Sequence, residues 1–495
     1  MSAATLKVFV PSSSRLVVAA FFTALWLFFV GTWLGWGQFN SSDENRTFSV
    51  LPQRLDAGFP GGLKLYLHDH FGFRGWLVTL NAYLRAQMFR TSTSPRVVIG
   101  KKGFLFYADE GALENYIGTS TMTDCELESW VQLFDRRAAW LALHKIPLVV
   151  TIAPDKHTIY PEMMPDGIPR SSAPSRTDRF IAALRSRANL TIVDLRPALK
   201  EAKQDRRSYY LTDTHWSQWG AYTAYREVLR AINKTLPDLA PRVGEPLEPA
   251  KLQTGAMLQT GDLNRILGLG SIAPETKELV RPPNSPPVIT NVEEAFYTAG
   301  TSNLAQPRLV MMLDSFGSFL IPYLHGHFSR IYALRTWLLD PMTVTREHPD
   351  VVVIEMVERR LNEAPPPDPE LAMPLPSDAV QDPKVWGVVD EPFQGSEVSG
   401  ADVKVSGWAL ALQPNSIHKV EIMLDGKVVG EPNIHLPRPD VDKVQPGMRD
   451  SPIAGLKGTL DSRRFPNGRH RFSLKLTDST GRTGEIGRRQ FCIAN

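Results

Sequence analysis

Two short stretches of this chain carry residue types that together could activate a hydroxyl group. In YYLTDTHWSQWG (Tyr209–Gly220), Asp213 and His215 stand two residues apart, just ahead of a helix expected to begin near Ser217. A carboxylate at that spacing can accept the imidazole Nδ1–H. This fixes the tautomer whose other nitrogen is free to take a proton, and it stabilises the imidazolium that results. In RLVMMLDSFGSFLIPYL (Arg308–Leu324), a buried strand is expected to end at Leu313, with Asp314 and Ser315 in the turn and a helix from about Gly317. Open α/β sheets place their sites along this carboxyl edge. The helix N-terminus beyond Ser315 would offer free N–H groups and partial positive charge to an oxyanion. The chemistry implied is acyl transfer, with Ser315 as nucleophile, His215 as base and Asp213 orienting it. Either segment alone reads equally as a helix cap. Their conjunction in one α/β domain carries the assignment.

Other residues could complete such a site. Gly317 permits a close backbone turn beside the serine, and its N–H is a candidate oxyanion donor. Gly261 and Asn264, in GDLN, are candidates for a second donor, although GDL reads as well as a tight turn with a cap. Tyr323 and Arg335 are candidates to line the cleft. Metal chemistry is disfavoured. His68 and His70 lie in a helical stretch, where residues two apart point away from one another, and His325 and His327 have no evident third ligand. The expectation is no metal and no cofactor.

These residues need a scaffold. At 495 residues the chain has room for a large core and an accessory module. Its 55 basic and 52 acidic residues nearly cancel and form no basic stripe with interleaved aromatics, so nucleic acid is not an expected partner. Arg15 precedes an uncharged run from Leu16 to Gly37, 22 residues, enough to cross a hydrocarbon core of about 30 Å as a helix. Trp33 and Trp36 suit one interface. Lys7 and Arg15 lie before the run, and Asp43 and Glu44 after it, which keeps residues 1–15 in the cytoplasm and exports the rest. No small-x-small site closes the run, so residues 16–37 read as an uncleaved anchor rather than a leader.

Residues 49–100 read as helical and amphipathic, followed by a hairpin of Val97–Ile99 with Phe104–Tyr107. Apolar runs at Pro147–Ala153, Leu190–Leu195, Arg308–Leu313 and Val351–Glu355 alternate with helical segments at Glu126–His144 and Arg176–Arg187. That is the pattern of buried parallel strands in an α/β sheet, over residues 49–361. Residues 362–384 are Pro-rich and read as a linker. From 385 to 495, short alternating runs and an Asp425-Gly426 turn read as a β-sandwich of immunoglobulin-like size. Trp386 and Trp408 could stack on sugar rings, with core packing the better reading of Trp408. Cys125 and Cys492, the two cysteines, fall in different domains; two free structural cysteines is the first reading, and a pair in an oxidising compartment is the alternative.

Several stretches resemble the alginate O-acetyltransferase family, the AlgJ/AlgX-like proteins with an SGNH-hydrolase-like domain. They are HDHFGFRGWL (His68–Leu77), VIGKKGFLFY (Val98–Tyr107), APDKHTIYPEMMP (Ala153–Pro165), LTDTHWSQWGAY (Leu211–Tyr222), GDLNRILGL (Gly261–Leu269), LDSFGSFLIPYL (Leu313–Leu324) and HPDVVVIEMVERRL (His348–Leu361). The resemblance implies an SGNH-hydrolase-like, flavodoxin-like parallel sheet and a triad of Asp213, His215 and Ser315 in an order permuted relative to ordinary SGNH hydrolases. It further implies a polysaccharide acceptor at a bacterial inner membrane and a polytopic membrane-bound O-acyltransferase as acyl donor. The tail departs from the family. Residues 398–490 resemble a small Ig-like module of bacterial cell-surface enzymes, so alginate itself is not carried over as the acceptor. Acetyl transfer to a polysaccharide hydroxyl is the leading expectation. An acetylesterase with the same triad and a non-enzymatic polysaccharide-binding scaffold are the alternatives.

Overall fold

The structure, a computed structural model, describes residues 13–36, 47–270, 272–283, 296–366, 385–393, 395–411, 415–444 and 450–495. Most of the N-terminal segment expected in the cytoplasm lies outside these residues, as do Asp43, Glu44 and the Pro-rich stretch from 367 to 384. The N-terminal apolar run forms helix α1 (Ser13–Leu34), whose mean hydropathy reaches 2.1 and whose surface is almost entirely exposed. It stops at Gly35, where φ is 68°, a conformation glycine adopts without a Cβ penalty.

The helical stretch that follows is two helices, α2 (Phe59–Asp69) and α3 (Arg74–Leu84). The break between them falls where the chain meets α1. A Cβ on Gly72 would stand 2.4 Å from the Thr32 nitrogen, and the Gly72 N–H donates to Thr32 Oγ1 at 2.8 Å. The expected hairpin forms from β1 (Val97–Ile99) and β2 (Leu105–Tyr107). Helix α4 (Asp124–Leu143) opens on a capping box in which Thr123 and Glu126 satisfy each other's backbone N–H.

The apolar runs become the strands they suggest: β3 (Leu148–Ala153), then, after α5 (Arg176–Leu184), β4 (Leu190–Asp194). Helix α6 (Gln218–Thr235) is capped by Ser217, whose hydroxyl accepts the Gly220 N–H at 3.1 Å. A ribbon of β5 (Gln253–Gln259) and β6 (Glu275–Arg281) follows, outside the main sheet. The remaining strands are β7 (Phe296–Ala299), β8 (Arg308–Met312), β9 (Arg330–Leu334) and β10 (Val351–Val357). They assemble in the order β4-β3-β10-β8-β9-β7. The first five are parallel, and β7 lies antiparallel on β9, so the expected parallel sheet carries one antiparallel edge. Counted in chain order these six strands run 2-1-6-4-5-3, which differs from the flavodoxin order 2-1-3-4-5.

Both faces of the sheet are covered. Val149, Leu309, Met311 and Val353 pack with Tyr222, Tyr225 and Val228 of α6, and Val150, Val310, Met312 and Ile354 pack with Trp130 and Phe134 of α4 and Phe180 of α5. Adjacent residues of one strand thus serve opposite cores, which is why these strands read as unbroken apolar runs.

Residues 385–495 form a four-stranded and a five-stranded sheet around a separate core that includes Val405, Ile422, Leu474 and Phe491. Asp425 and Gly426, with φ of 49° and 79°, make the hairpin turn their sequence suggests. Trp408 packs against Leu410, Val441 and Ala454. The Trp386 side chain lies outside the described set. The cysteines are not free: Cys125 and Cys492 form a disulfide across 367 residues. Folding lays the last strand of this module on α4, where Gln132 donates to the Gln490 side chain at 3.0 Å and Arg469 pairs with Glu128 at 3.4 Å. Sequence distance hid the spatial proximity.

Candidate active site

The loop ahead of α6 is closed by a bridge between Tyr209 and Trp216, and its interior is pinned by carboxylates. The Leu211 and Thr212 N–H groups donate to Glu275 of β6 at 2.7 and 2.8 Å, and the Thr214 N–H donates to Asp262 at 2.7 Å. Trp216 is fully buried, edge-on to Phe316 at 5.2 Å. His215 therefore projects from a backbone with little freedom. Its ring lies 4.9 Å from Phe316 and stacks on Phe319 at 5.4 Å, both from the turn that follows β8.

That packing brings the three expected residues together. His215 Nδ1 lies 2.7 Å from Asp213 Oδ1, and His215 Nε2 lies 2.7 Å from Ser315 Oγ. The carboxylate can only accept, so Nδ1 carries the proton and Nε2 is the acceptor for the serine hydroxyl. The second oxygen of Asp213 accepts from the ammonium of Lys277, on β6, at 2.7 Å. Lys277 is itself buried, 4.3 Å above the Tyr210 ring. The group opens onto a cavity of about 310 Å³, walled by Tyr210, Gln218, Met257, Arg265, Arg281 and Phe319.

Electrostatics set the protonation states. Burial pushes the Asp213 carboxyl up, but the hydrogen bond and charge of His215, with Lys277 in support, outweigh it and hold Asp213 well below the usual carboxylate range. For His215, burial pushes the imidazole down, and the hydrogen bond and charge of Asp213, reinforced by Asp262, bring it above its ordinary 6.5. Burial and the charge of Asp213 raise Asp262. Behind the serine, burial and the Asp314 charge push Glu355 well above an ordinary glutamate, which favours its neutral form. It receives the Asp314 N–H at 3.2 Å and the Gly317 N–H. Asp314 accepts the Phe316 N–H at 2.8 Å and the Val357 N–H at 2.7 Å.

Asp213, His215 and Asp262 have ligand atoms close enough to share a cation. The donor set fits one poorly: Lys277 already places a positive charge on Asp213, and His215 Nδ1 presents a proton there. The other histidines are committed elsewhere. His70 stacks on Tyr66 at 4.1 Å, and His327 bonds the Tyr225 hydroxyl at 2.7 Å and the Val243 carbonyl at 2.8 Å.

Residues 97–303 match the family described as ALGX, the SGNH hydrolase-like domain of acetyltransferase AlgX. The match includes Asp213 and His215 and stops short of Ser315. "Probable alginate O-acetylase AlgJ" of Pseudomonas syringae pv. tomato is 26% identical over 368 residues, 70% of this chain and 88% of that protein. The protein of the same name from Pseudomonas aeruginosa is 32% identical over 142 residues, 28% of this chain and 34% of that one. Residues 97–303 are thus similar to the AlgX-type SGNH hydrolase-like domain. Among solved structures, the O-acetyltransferase domain of Pseudomonas putida AlgJ is similar with a TM-score of 0.37 and 21% identity, covering 56% of this chain and 95% of that one.

The remaining expected site residues are not where their types suggested. Gly317 starts a single 3-10 turn rather than a long helix, and its N–H is taken by Glu355 rather than turned to the cleft. Gly261 is needed for packing: a Cβ there would lie 2.0 Å from the Thr212 carbonyl. Asn264 is buried and donates to the Ala273 carbonyl, facing away from Ser315. The Tyr323 hydroxyl donates to the Gln218 carbonyl at 2.8 Å and to that of Val280, in the core behind the cleft. Arg335, half-buried beyond the end of β9, is not part of the cavity wall. Lys277, Asp262 and Glu355 are the residues that sequence reasoning missed. Asp262 alone had a signal, since it sits inside the GDLN stretch.

Proposed function

We propose that this chain is a serine-dependent O-acetyltransferase acting on hydroxyls of a polysaccharide outside the cytoplasmic membrane. The observation that carries the proposal is the continuous hydrogen-bonded line from Asp213 through His215 to Ser315 at the mouth of a cavity. The names of the relatives support the acetyl group and the polysaccharide. The strand order supports a permuted SGNH-type sheet: counted onward from β8, the serine strand, through β9, β10, β3 and β4, the order becomes 2-1-3-4-5. In the C-terminal region, two sheets enclosing one core support an Ig-like module.

In the first half-reaction His215 Nε2 takes the Ser315 proton as Oγ attacks the donor's acyl carbon. The leaving group departs with that proton, and acetyl-Ser315 remains. In the second, a sugar hydroxyl gives its proton to Nε2 and attacks the acyl carbon, and Ser315 Oγ recovers the proton. The N–H of Ser315, with no partner recorded among the described residues, is positioned to bind the oxyanion in both steps. Lys277 keeps Asp213 ionised, so that it orients the imidazole instead of competing for its proton. A polytopic membrane-bound O-acyltransferase is the acyl donor this reading calls for, with α1 holding the enzyme at the same membrane.

Full-length protein in detergent is assayed with a chromogenic acetyl ester, with and without oligosaccharide. The expected result is acetyl transfer to sugar in excess of release to water, with turnover falling by roughly 10⁴-fold or more in Ser315→Ala. Turnover that survives this substitution would remove the nucleophile assignment. Release to water that sugar does not divert would mean an esterase, and sugar binding without turnover a scaffold.

A further inference from the structure

Helix α3 is inverted relative to an ordinary surface helix. Its inward face carries the small residues Gly75, Thr79 and Ala82, all buried, and Ala82 packs with Leu263 and Leu267 of the segment that also bears Asp262. Its outward face carries the large apolar residues. Trp76 is 68% exposed and Leu80 54%, Tyr83 and Leu84 lie beside them, and Met88 and Phe89 extend the same surface at 69% and 67%. A water-facing helix places such residues the other way round, and a contiguous apolar surface of this kind marks an interaction site.

The occupant follows from where this surface is attached. Phe71 stacks on Phe28 of α1 at 5.1 Å, Phe73 meets Phe28 at 6.0 Å, and the Phe73 N–H donates to the Trp36 carbonyl at 2.8 Å. Phe28 lies six residues before the end of α1, about 9 Å down a helix that rises 1.5 Å per residue. If α1 crosses a membrane with Leu34 at its surface, the turn joining α2 to α3 lies within the interfacial layer, and α3 must start there. Charge agrees. Residues 59–90 hold Lys64, Arg74, Arg85 and Arg90 against one acid, Asp69, which is buried and accepts from the Ser49 N–H and hydroxyl at 2.8 Å each.

We infer that α3 and its continuation to Phe89 lie in the outer interface of the membrane that α1 enters, with Trp76, Leu80 and Met88 among the acyl chains and Arg85 and Arg90 at anionic headgroups. This rests on α1 being a membrane span and is independent of the acetyltransferase assignment. Because the inward face of α3 packs on the segment carrying Asp262, the interface contact also fixes the height of the Ser315 cleft above the lipid.

The test uses full-length protein in vesicles of phosphatidylethanolamine and phosphatidylglycerol. The native cysteines are paired, so one introduced cysteine carries an environment-sensitive fluorophore, in Leu80→Cys, Trp76→Cys, Phe22→Cys or Leu304→Cys, the last residue being 90% exposed. The inference expects labels at 80 and 76 to lose most of their emission to nitroxide-bearing lipids and little to aqueous iodide, as at 22, with the reverse at 304. Labels at 80 and 76 that follow 304 while 22 follows lipid would overturn it. So would shielding from iodide that appears only in native membranes, which means a protein partner, or shielding that rises with protein density without lipid quenching, which means a second copy. A label at 22 that lipid fails to quench removes the span itself, and the inference with it.

Discussion

The loop holding His215 and the turn holding Ser315 meet across 2.7 Å, yet they are built by opposite electrostatic means. The His215 loop is a charged structure. Asp213 is ionised, an ammonium faces it, and a second acid, Asp262, stands 3.8 Å from the imidazole. The Ser315 turn is built on a buried acid pushed toward its neutral form, Glu355, which stands beside Asp314, both taking backbone N–H groups. On the proposed mechanism the difference follows function. A base needs a permanent field to raise its proton affinity, whereas a nucleophile needs a rigid backbone without a second full negative charge beneath its developing oxyanion.

Asp213→Asn attacks the charged side directly. It keeps the shape but reverses which partner donates to Nδ1, and turnover of the chromogenic ester should fall by about 10⁴-fold while the thermal unfolding midpoint moves little. Retained turnover would show that the field is not what the loop supplies. Lys277→Met removes the cation and leaves the carboxylate. His215, already above 6.5, should rise further. The base must be neutral to act, so the acid limb of kcat/KM should move to higher pH, with roughly a tenfold loss at neutral pH for each unit moved. A limb that stays in place would make Lys277 merely structural.

The serine side should respond in stability more than in chemistry. Gly317→Ala puts a methyl group 2.5 Å from a Glu355 oxygen and 2.6 Å from the Leu313 Cβ. It should destabilise by about 1–3 kcal/mol in urea unfolding and lower turnover several-fold by tilting Ser315. Glu355→Gln should change turnover least. The raised Glu355 carboxyl contributes stability that is fully present below its unfolded value near 4.3 and declines as pH rises toward its folded value. The amide variant should therefore show a flatter stability profile between pH 5 and pH 8 and gain most at the alkaline end. An unchanged profile would mean that Glu355 is not held neutral.

The outline of this site was legible because its elements are local. Alternation cannot hide a strand buried on both faces, and a Ser217 cap or an Asp425-Gly426 turn declares itself within a few residues. What escaped notice depends on which way a side chain faces after folding. Lys277 and Glu275 lie on a ribbon not expected from the sequence, and both are buried once β6 packs on the loop. Glu355 looks like the polar end of an apolar strand. Asn264, Tyr323 and Arg335 had the right chemistry for a cleft, but residue type gives capacity and not direction. The strand order could not be read either, because β10, last in the chain, pairs between β3 and β8.

The bond between Cys125 and Cys492 also settles how the molecule carries tension. Pulled between α1 and the final residues, the covalent path runs from the helix to Cys125, crosses the disulfide, and leaves by the last three residues. Residues 126–491 form a closed loop hung on that path, and Asp213, His215 and Ser315 all belong to the loop. Tension between α1 and the segment after Cys492 would load the first residues of α4 and the disulfide and leave the rest of α4, with Asp213, His215 and Ser315, off the covalent path.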